Sequence, residues 1–387
     1  MVITFWLLVF TVVYTYIGYG VLLHGLVWLK RLFYKPALSD AGYEPTVSLL
    51  IAAYNEENFI KEKIINTLQL DYPAHKIEYV FVTDGSTDNT PTLIAKHPEL
   101  RLLHQAERRG KIAAVERSIS QLNGEIVVFT DANTFLNKEA IRNIIRKFAN
   151  PRVGVVSGEK RILNSDADEA AGAGEGFYWK YESKLKKWDA ELYSVMGAAG
   201  ELFAIRKNLY EPIPKDSLIE DFYLSFKILE KGFIIAYEPE AYALEEPSAS
   251  IGEELKRKIR IAAGGIQSIV RLSELLNPFR YGIVTFQYIS HRVLRWTLAP
   301  LALPLVFILN IFLLNHGGIY PWLFVAQLLF YGAALAGYLM EKQHIRLKIL
   351  FIPYYFCMMN YAVYLGFIRF IKGSQSVIWE KSARRNS

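Results

Sequence analysis

The 387-residue chain carries 44 Lys and Arg against 38 Asp and Glu, a net charge of +6, and 52% of its residues are hydrophobic. Its length exceeds one average domain, so a domain with its own core plus a second module is expected. The single cysteine, Cys357, excludes an intrachain disulfide framework and a cysteine-rich zinc site, and inside an apolar run it reads as a buried hydrophobe.

Residues 2–29 contain no Asp, Glu, Lys or Arg, and neither do 297–340 or 349–368. About 20 apolar residues cross a bilayer, so each run is long enough for a pass and the middle one for two. Asn315 to Gly318, with Pro321, supplies the break. The first run lacks a basic start and a small-residue cleavage site, and so reads as an anchor rather than a signal peptide. Lys30, Arg31 and Lys35 follow it, and Lys342, Arg346 and Lys348 follow the third pass. The positive-inside rule then puts the soluble domain in the cytoplasm, at the cell's inner or plasma membrane. A full crossing by 349–368 would leave Lys372, Lys381, Arg384 and Arg385 outside, so that segment is either re-entrant or offset by an upstream amphipathic crossing. The basic residues flank membrane segments and amphipathic helices, a pattern that fits anionic lipid better than nucleic acid.

Between residues 46 and 240, β-rich runs alternate with helical patterns. Runs 47–53, 79–83 and 126–130 read as buried strands of a parallel sheet, with helices at 56–70 and 111–122. That alternation predicts a doubly wound α/β domain, which binds ligands beyond the carboxyl ends of its strands. Three strand ends carry polar clusters: Tyr54-Asn55-Glu56-Glu57, Asp84-Gly85-Ser86-Thr87-Asp88 and Asp131-Ala132-Asn133. One cluster is an ordinary turn; three in succession point to a shared ligand site.

Asp84 is placed to accept from a base or ribose, or to cap a turn. Asp131, with Asn133 adding a neutral oxygen, suits Mg²⁺ or Mn²⁺, although an Asx turn uses the same residues. Arg108-Arg109-Gly110-Lys111 opens a helix, where N–H groups and cations together favour a diphosphate; in isolation it is also a solvated charge run. Gly197-Ala198-Ala199-Gly200 permits close backbone approach to a sugar, or simply a tight turn. Glu220 and Asp221 precede a predicted helix at 223–230, where the helix dipole alone favours acids. Residues 253–296 set cations among aromatic and aliphatic residues, and read as helices lying in the membrane interface.

In this order and spacing, Tyr54-Asn55-Glu56, Asp84 to Asp88, Asp131-Ala132-Asn133 and Glu220-Asp221 resemble the family 2 glycosyltransferases of GT-A fold. The similarity is to the membrane-embedded group that includes hyaluronan, chitin, cellulose and poly-N-acetylglucosamine synthases. The resemblance implies an anchor at 1–29, a Rossmann-like GT-A catalytic domain at 45–245 and interfacial helices at 246–296. A transmembrane region at 297–371 and a basic tail at 372–387 complete the layout. It implies that Ala53, Tyr54, Glu56 and Asp84 hold the nucleotide and that Lys111 faces its phosphates. Asp131 with Asn133 would hold the metal, and Asp221 would be the catalytic base. Gly200 and Glu220 fall where the family meets the diphosphate and acceptor, and Arg257 and Arg260 are cations placed to meet the leaving diphosphate.

Two positions depart from the pattern. Asn133 stands where the family's second acid is expected, and Arg257 to Gly265 lacks the tryptophan of the Gln-x-x-Arg-Trp motif that processive synthases carry. The expected activity is inverting transfer from a nucleotide sugar, with UDP the expected nucleotide, to a glycan or membrane-associated acceptor. Transfer of one sugar to a polyprenyl-phosphate carrier is the alternative within the enzyme class. A nucleotide-binding adaptor of a synthase complex is the non-enzyme alternative. Trp379 in the tail reads as an interfacial anchor, or as a residue that folds back toward the active site.

Overall fold

The computed structural model describes the chain except residues 35–41, 164–170, 249, 344, 346 and 374–387. Lys35, Arg346, Trp379, Lys381, Arg384 and Arg385 therefore lie outside the described residues. Two compact units emerge, a sheet unit from Arg31–Leu163 and Asp189–Ser250, and a helical unit from Met1–Lys30, Asn164–Trp188 and Ile251–Ser374. Residues 171–188, inside the span expected for the catalytic domain, thus group with the helices.

The sheet unit has eight strands: β1 (Val47–Ala53), β2 (Ile77–Asp84), β3 (Leu100–Gln105), β4 (Ile126–Asp131), β5 (Thr134–Leu136), β6 (Val153–Ile162), β7 (Leu202–Arg206) and β8 (Ile234–Glu245). Their order is β3-β2-β1-β4-β7-β6-β8-β5. The β3-β2-β1-β4 half is parallel, as the apolar runs predict. Beyond it the sheet is mixed, since β7 runs antiparallel to both β4 and β6, and β5 antiparallel to β8. The three strands read from the sequence all lie in the parallel half, and the antiparallel strands are ones that reading did not assign. Strand β7 follows a long helix and returns along β4 as an antiparallel neighbour, so no crossover of the βαβ kind is needed.

Leu49, Ile51, Phe81 and Val128 are fully buried, which explains why β1, β2 and β4 read as continuous apolar runs. The parallel half therefore aims the ends of β1, β2 and β4 the same way, and gathers their polar clusters at one edge. The helix predicted at 56–70 spans Ile60–Leu68, because Asn55 takes a positive φ of 52° and the chain turns before entering the helix. The helix expected at 223–230 begins earlier, as Glu220–Glu230, so both acids lie in its first turn.

In the helical unit, four helices are long and apolar enough to cross a membrane: Val2–Phe33, Leu298–His316, Tyr320–Lys342 and Ile349–Lys372. The last is one continuous helix, Lys348–Lys372, with Pro353 inside it at the loss of one i→i−4 hydrogen bond. Helix Ile251–Arg271 is amphipathic overall but is buried all round at Ala262, Ala263, Gly264 and Gly265, where small residues permit close packing. Gly366 packs on Ala262 so closely that an added Cβ would lie 2.7 Å away.

Candidate active site

The first two strand-end loops are stitched together by side chain to backbone bonds. Thr87 N donates to Asn55 Oδ1 at 2.8 Å, Glu56 N to Thr90 Oγ1 at 2.8 Å, and Glu57 N to Asp88 Oδ2 at 3.1 Å. Asn, Ser, Thr and Asp serve here because their short polar side chains satisfy loop N–H groups. Above this frame the Arg108 guanidinium stacks 3.7 Å over the Tyr54 ring, and Ala53 is buried below.

Asp84, expected at the nucleotide, is occupied structurally. Its Oδ2 accepts from Arg109 N at 2.8 Å and Gly110 N at 2.6 Å, and its Oδ1 from Arg117 at 2.9 Å. It fastens the glycine-led start of helix Lys111–Ile119 to β2, with Gly110 at φ 95°. This anchoring directs Lys111. Its Nζ lies 2.8 Å from Asp131 Oδ1 and 2.9 Å from Glu220 Oε1, an ammonium bridging two carboxylates. Burial works against its charge, but Asp131 and Glu220 outweigh that and hold its pKa above the usual lysine value.

Asp131 is pushed up by burial against the pull of Lys111, with Glu201 and Glu220 adding to the rise. Asp221 is raised to about 7, chiefly by burial and then by Glu220, while Lys111 opposes. Gly200 lies against it, and a Cβ there would come within 3.2 Å of Asp221 Oδ2. The glycine thus leaves open the space in front of this carboxylate. Asn133 stands two residues after Asp131, in the turn before β5, where Thr134 Oγ1 donates to the Asp131 carbonyl at 3.0 Å.

Oxygen donors suit a hard divalent ion, and the Lys111 ammonium marks the position between Asp131 and Glu220 as one that accepts a cation. Among the described residues no group of three or more His, Cys, Asp or Glu forms a metal cage.

Lys111, Asp131, Gly200, Glu220 and Asp221 are thus brought together within the sheet unit. Arg257 and Arg260 belong to the helical unit, on helix Ile251–Arg271, where Arg257 Nε pairs with Glu254 at 3.0 Å. That helix lacks its own tryptophan after Arg260, but Trp296 packs on it at Gly265, where a Cβ would lie 2.5 Å from the indole.

The sequence reading missed Lys63, Lys160 and Glu201. Lys63 is fully buried and donates to the Thr134 carbonyl at 2.7 Å, and burial lowers its pKa to about 7 while Asp131 opposes. Its signal was present, because Ile60, Lys63, Ile64 and Thr67 form one apolar stripe at helical spacing. Lys160 reaches Glu201 Oε1 at 2.7 Å, a pairing across strands that spacing does not encode.

Residues 48–213 match the model of glycosyl transferase family 2. This stretch is a family 2 glycosyl transferase domain. Poly-beta-1,6-N-acetyl-D-glucosamine synthases of Staphylococcus epidermidis and Staphylococcus aureus are 28% and 29% identical to the chain over 235 residues. That alignment takes in 58% of this chain and 56% of each synthase, so it spans little more than half the length of these curated relatives. A mannosyltransferase from Pyrobaculum calidifontis, solved with GDP-Man and Mn2+, is 25% identical with a TM-score of 0.69, covering 95% of this chain and all of that one. The GT-A fold expected from the motifs is therefore the fold of the sheet unit. Asp84, Lys111, Asp131 and Gly200 lie inside the matched family 2 stretch, and Glu220 and Asp221 a few residues beyond it.

Proposed function

We propose that this glycosyltransferase moves a sugar from a nucleotide sugar to a glycan or other membrane-associated acceptor by inverting displacement, with Asp221 as general base. The observation that supports this most is a carboxylate raised to about 7 behind the open space at Gly200, in the same helix turn as Glu220, which pairs with Lys111. Asp221 takes the proton of the acceptor hydroxyl as that oxygen attacks the anomeric carbon, and the bond to the leaving diphosphate breaks on the opposite face. An α-linked donor then yields a β-linked product. Lys111 and the helix N-terminus behind it draw the diphosphate. Mg²⁺ or Mn²⁺, held by Asp131 with Asn133 beside it, would neutralise charge on that leaving group. Ala53, Tyr54, Glu56 and Asp84 line or brace the nucleotide side, and Arg257 and Arg260 are assigned to the diphosphate and acceptor. Catalysis on the cytoplasmic face of the membrane follows from the basic residues after the first apolar helix.

The test is a donor panel on detergent-purified protein, reading released nucleotide diphosphate. GDP-Man heads the panel because the similarity to the mannosyltransferase spans nearly the whole chain, and UDP-N-acetylglucosamine follows from the synthases. Asp221→Asn should lose about 100- to 10,000-fold in transfer with donor affinity retained. An Asp221→Asn protein that still transfers at the wild-type rate refutes the assignment of the base. A second reading, one sugar added to a polyprenyl-phosphate carrier, is favoured by the missing tryptophan at Arg257 to Gly265. Label confined to an organic-extractable lipid supports it, and label in a long polymer rejects it.

A further inference from the structure

Behind the loop that meets Asp221, a buried ion network joins β6, β7 and β8. The Lys160 side chain is only 2% exposed; its ammonium lies 2.7 Å from Glu201 Oε1 and also pairs with buried Glu245 at the end of β8. Neighbouring Glu159 accepts a hydrogen bond from the Tyr237 hydroxyl. Buried ion networks of this kind gain little stability over apolar packing, so Lys160 calls for another use.

Its partner Glu201 ends the 197–201 loop, whose backbone is pinned at three further points. Ala198 N donates to Ser225 Oγ at 3.2 Å, Ala199 N to Ser157 Oγ at 3.1 Å, and Thr130 Oγ1 to the Glu201 carbonyl at 2.9 Å. Ser225 lies on the helix that carries Asp221, and Thr130 precedes Asp131. Gly200, between the pinned residues, faces the Asp221 carboxylate. The loop therefore touches both the base and the strand of the diphosphate side. A further anchor is the Glu201 side chain, held from β6 by Lys160.

We propose that Lys160 is a positioning residue for sugar transfer, acting through Glu201 to fix the 197–201 loop against Asp221. This rests on the reading of Asp221 as base. Freed of the anchor, the loop shifts the open space at Gly200 relative to the base, and the acceptor hydroxyl loses its alignment. The nucleotide loops keep bonds of their own, between the ends of β1 and β2 and at the start of helix Lys111–Ile119.

The test compares full-length wild type with Lys160→Met, Lys160→Arg, Glu201→Ala and Asp221→Asn, on the donor that turns over in the panel. Lys160→Met and Glu201→Ala should lower kcat about 100-fold, the cost of a misplacement near 1 Å. The donor dissociation constant should stay at its wild-type value, and Lys160→Arg should recover most of the loss. Glu201→Ala leaves Lys160 its partner Glu245, so it decides alone if Lys160→Met does not fold. Wild-type kcat in Glu201→Ala overturns the proposal. So does a loss matched by an equal weakening of donor binding, which marks general damage. Transfer surviving in Asp221→Asn defeats the base assignment separately, while the Glu201→Ala comparison of kcat with donor affinity still decides whether the loop needs its anchor.

Discussion

In the proposed reaction Asp221 depends on its surroundings, because a carboxylate raised to about 7 by burial and by Glu220 is half protonated near neutral pH. A base works only when deprotonated. The kcat profile should therefore rise about tenfold per pH unit up to about 7 and level off above, with one ionisation. Stability has the opposite sign. The folded-state value lies above the ordinary aspartate value of about 3.9, so the folded protein binds the extra proton between the two. This group's contribution then falls as pH rises from about 4 to about 7, and its cost is complete above that. Asp221→Asn, neutral at every pH, should raise Tm relative to wild type at about pH 8, with the gain vanishing below about pH 4. A mutant that melts earlier than wild type at the alkaline pH contradicts this. Asp84 carries the complementary lesson. A carboxylate at a strand end was legible from sequence, but its use was not, because the Arg109 and Gly110 amides and Arg117 that occupy it meet it only after the chain returns from β3.

Burial made an element legible only where its run is also apolar, since β6 is buried from Val153 to Lys160 but Gly154, Gly158, Glu159 and Lys160 break its pattern. Strands β1, β2 and β4 announce themselves as apolar runs, whereas β3 mixes Arg101 and His104 into an edge strand and β5 has three residues. The antiparallel entry of β7 beside β4 is a tertiary choice that no local pattern encodes. Glycines at the joints, by contrast, make sharp predictions. Gly85 follows β2 at φ 68°, and a Cβ there would lie 2.8 Å from the Arg108 backbone nitrogen. Gly85→Ala should therefore displace the 108–110 turn that Asp84 fastens, and with it the start of the Lys111 helix. We expect nucleotide affinity to fall about tenfold or more, by calorimetric titration, with far-UV circular dichroism unchanged, because positive-φ strain of roughly 1–3 kcal/mol acts locally. Unaltered affinity would show that this turn does not serve the nucleotide. Gly124 is stricter still: its Cβ would fall 2.3 Å from Ser48 N, so Gly124→Ala must part β1 from the chain entering β4 and should lower Tm.

For the whole chain, the membrane layout follows from hydropathy and charge, which need no tertiary information, and the four apolar helices match the runs read from sequence. Orientation is the part that calls for experiment. Lys30 and Arg31 follow the first helix and Lys342 closes the third, so the positive-inside rule puts both positions on the cytoplasmic side. The short turn Leu314–His316, which ends the second helix, then lies on the opposite face. Cys357 is the only native cysteine, so its replacement by serine gives a clean background for labelling. In that background Asn315→Cys, exposed in the turn, should react with a membrane-impermeant maleimide in intact cells. Gln343→Cys, at the exposed end of the third helix, should react only after permeabilisation. The reverse pattern would move the transferase site to the outer face, where nucleotide sugars made in the cytoplasm could not reach it.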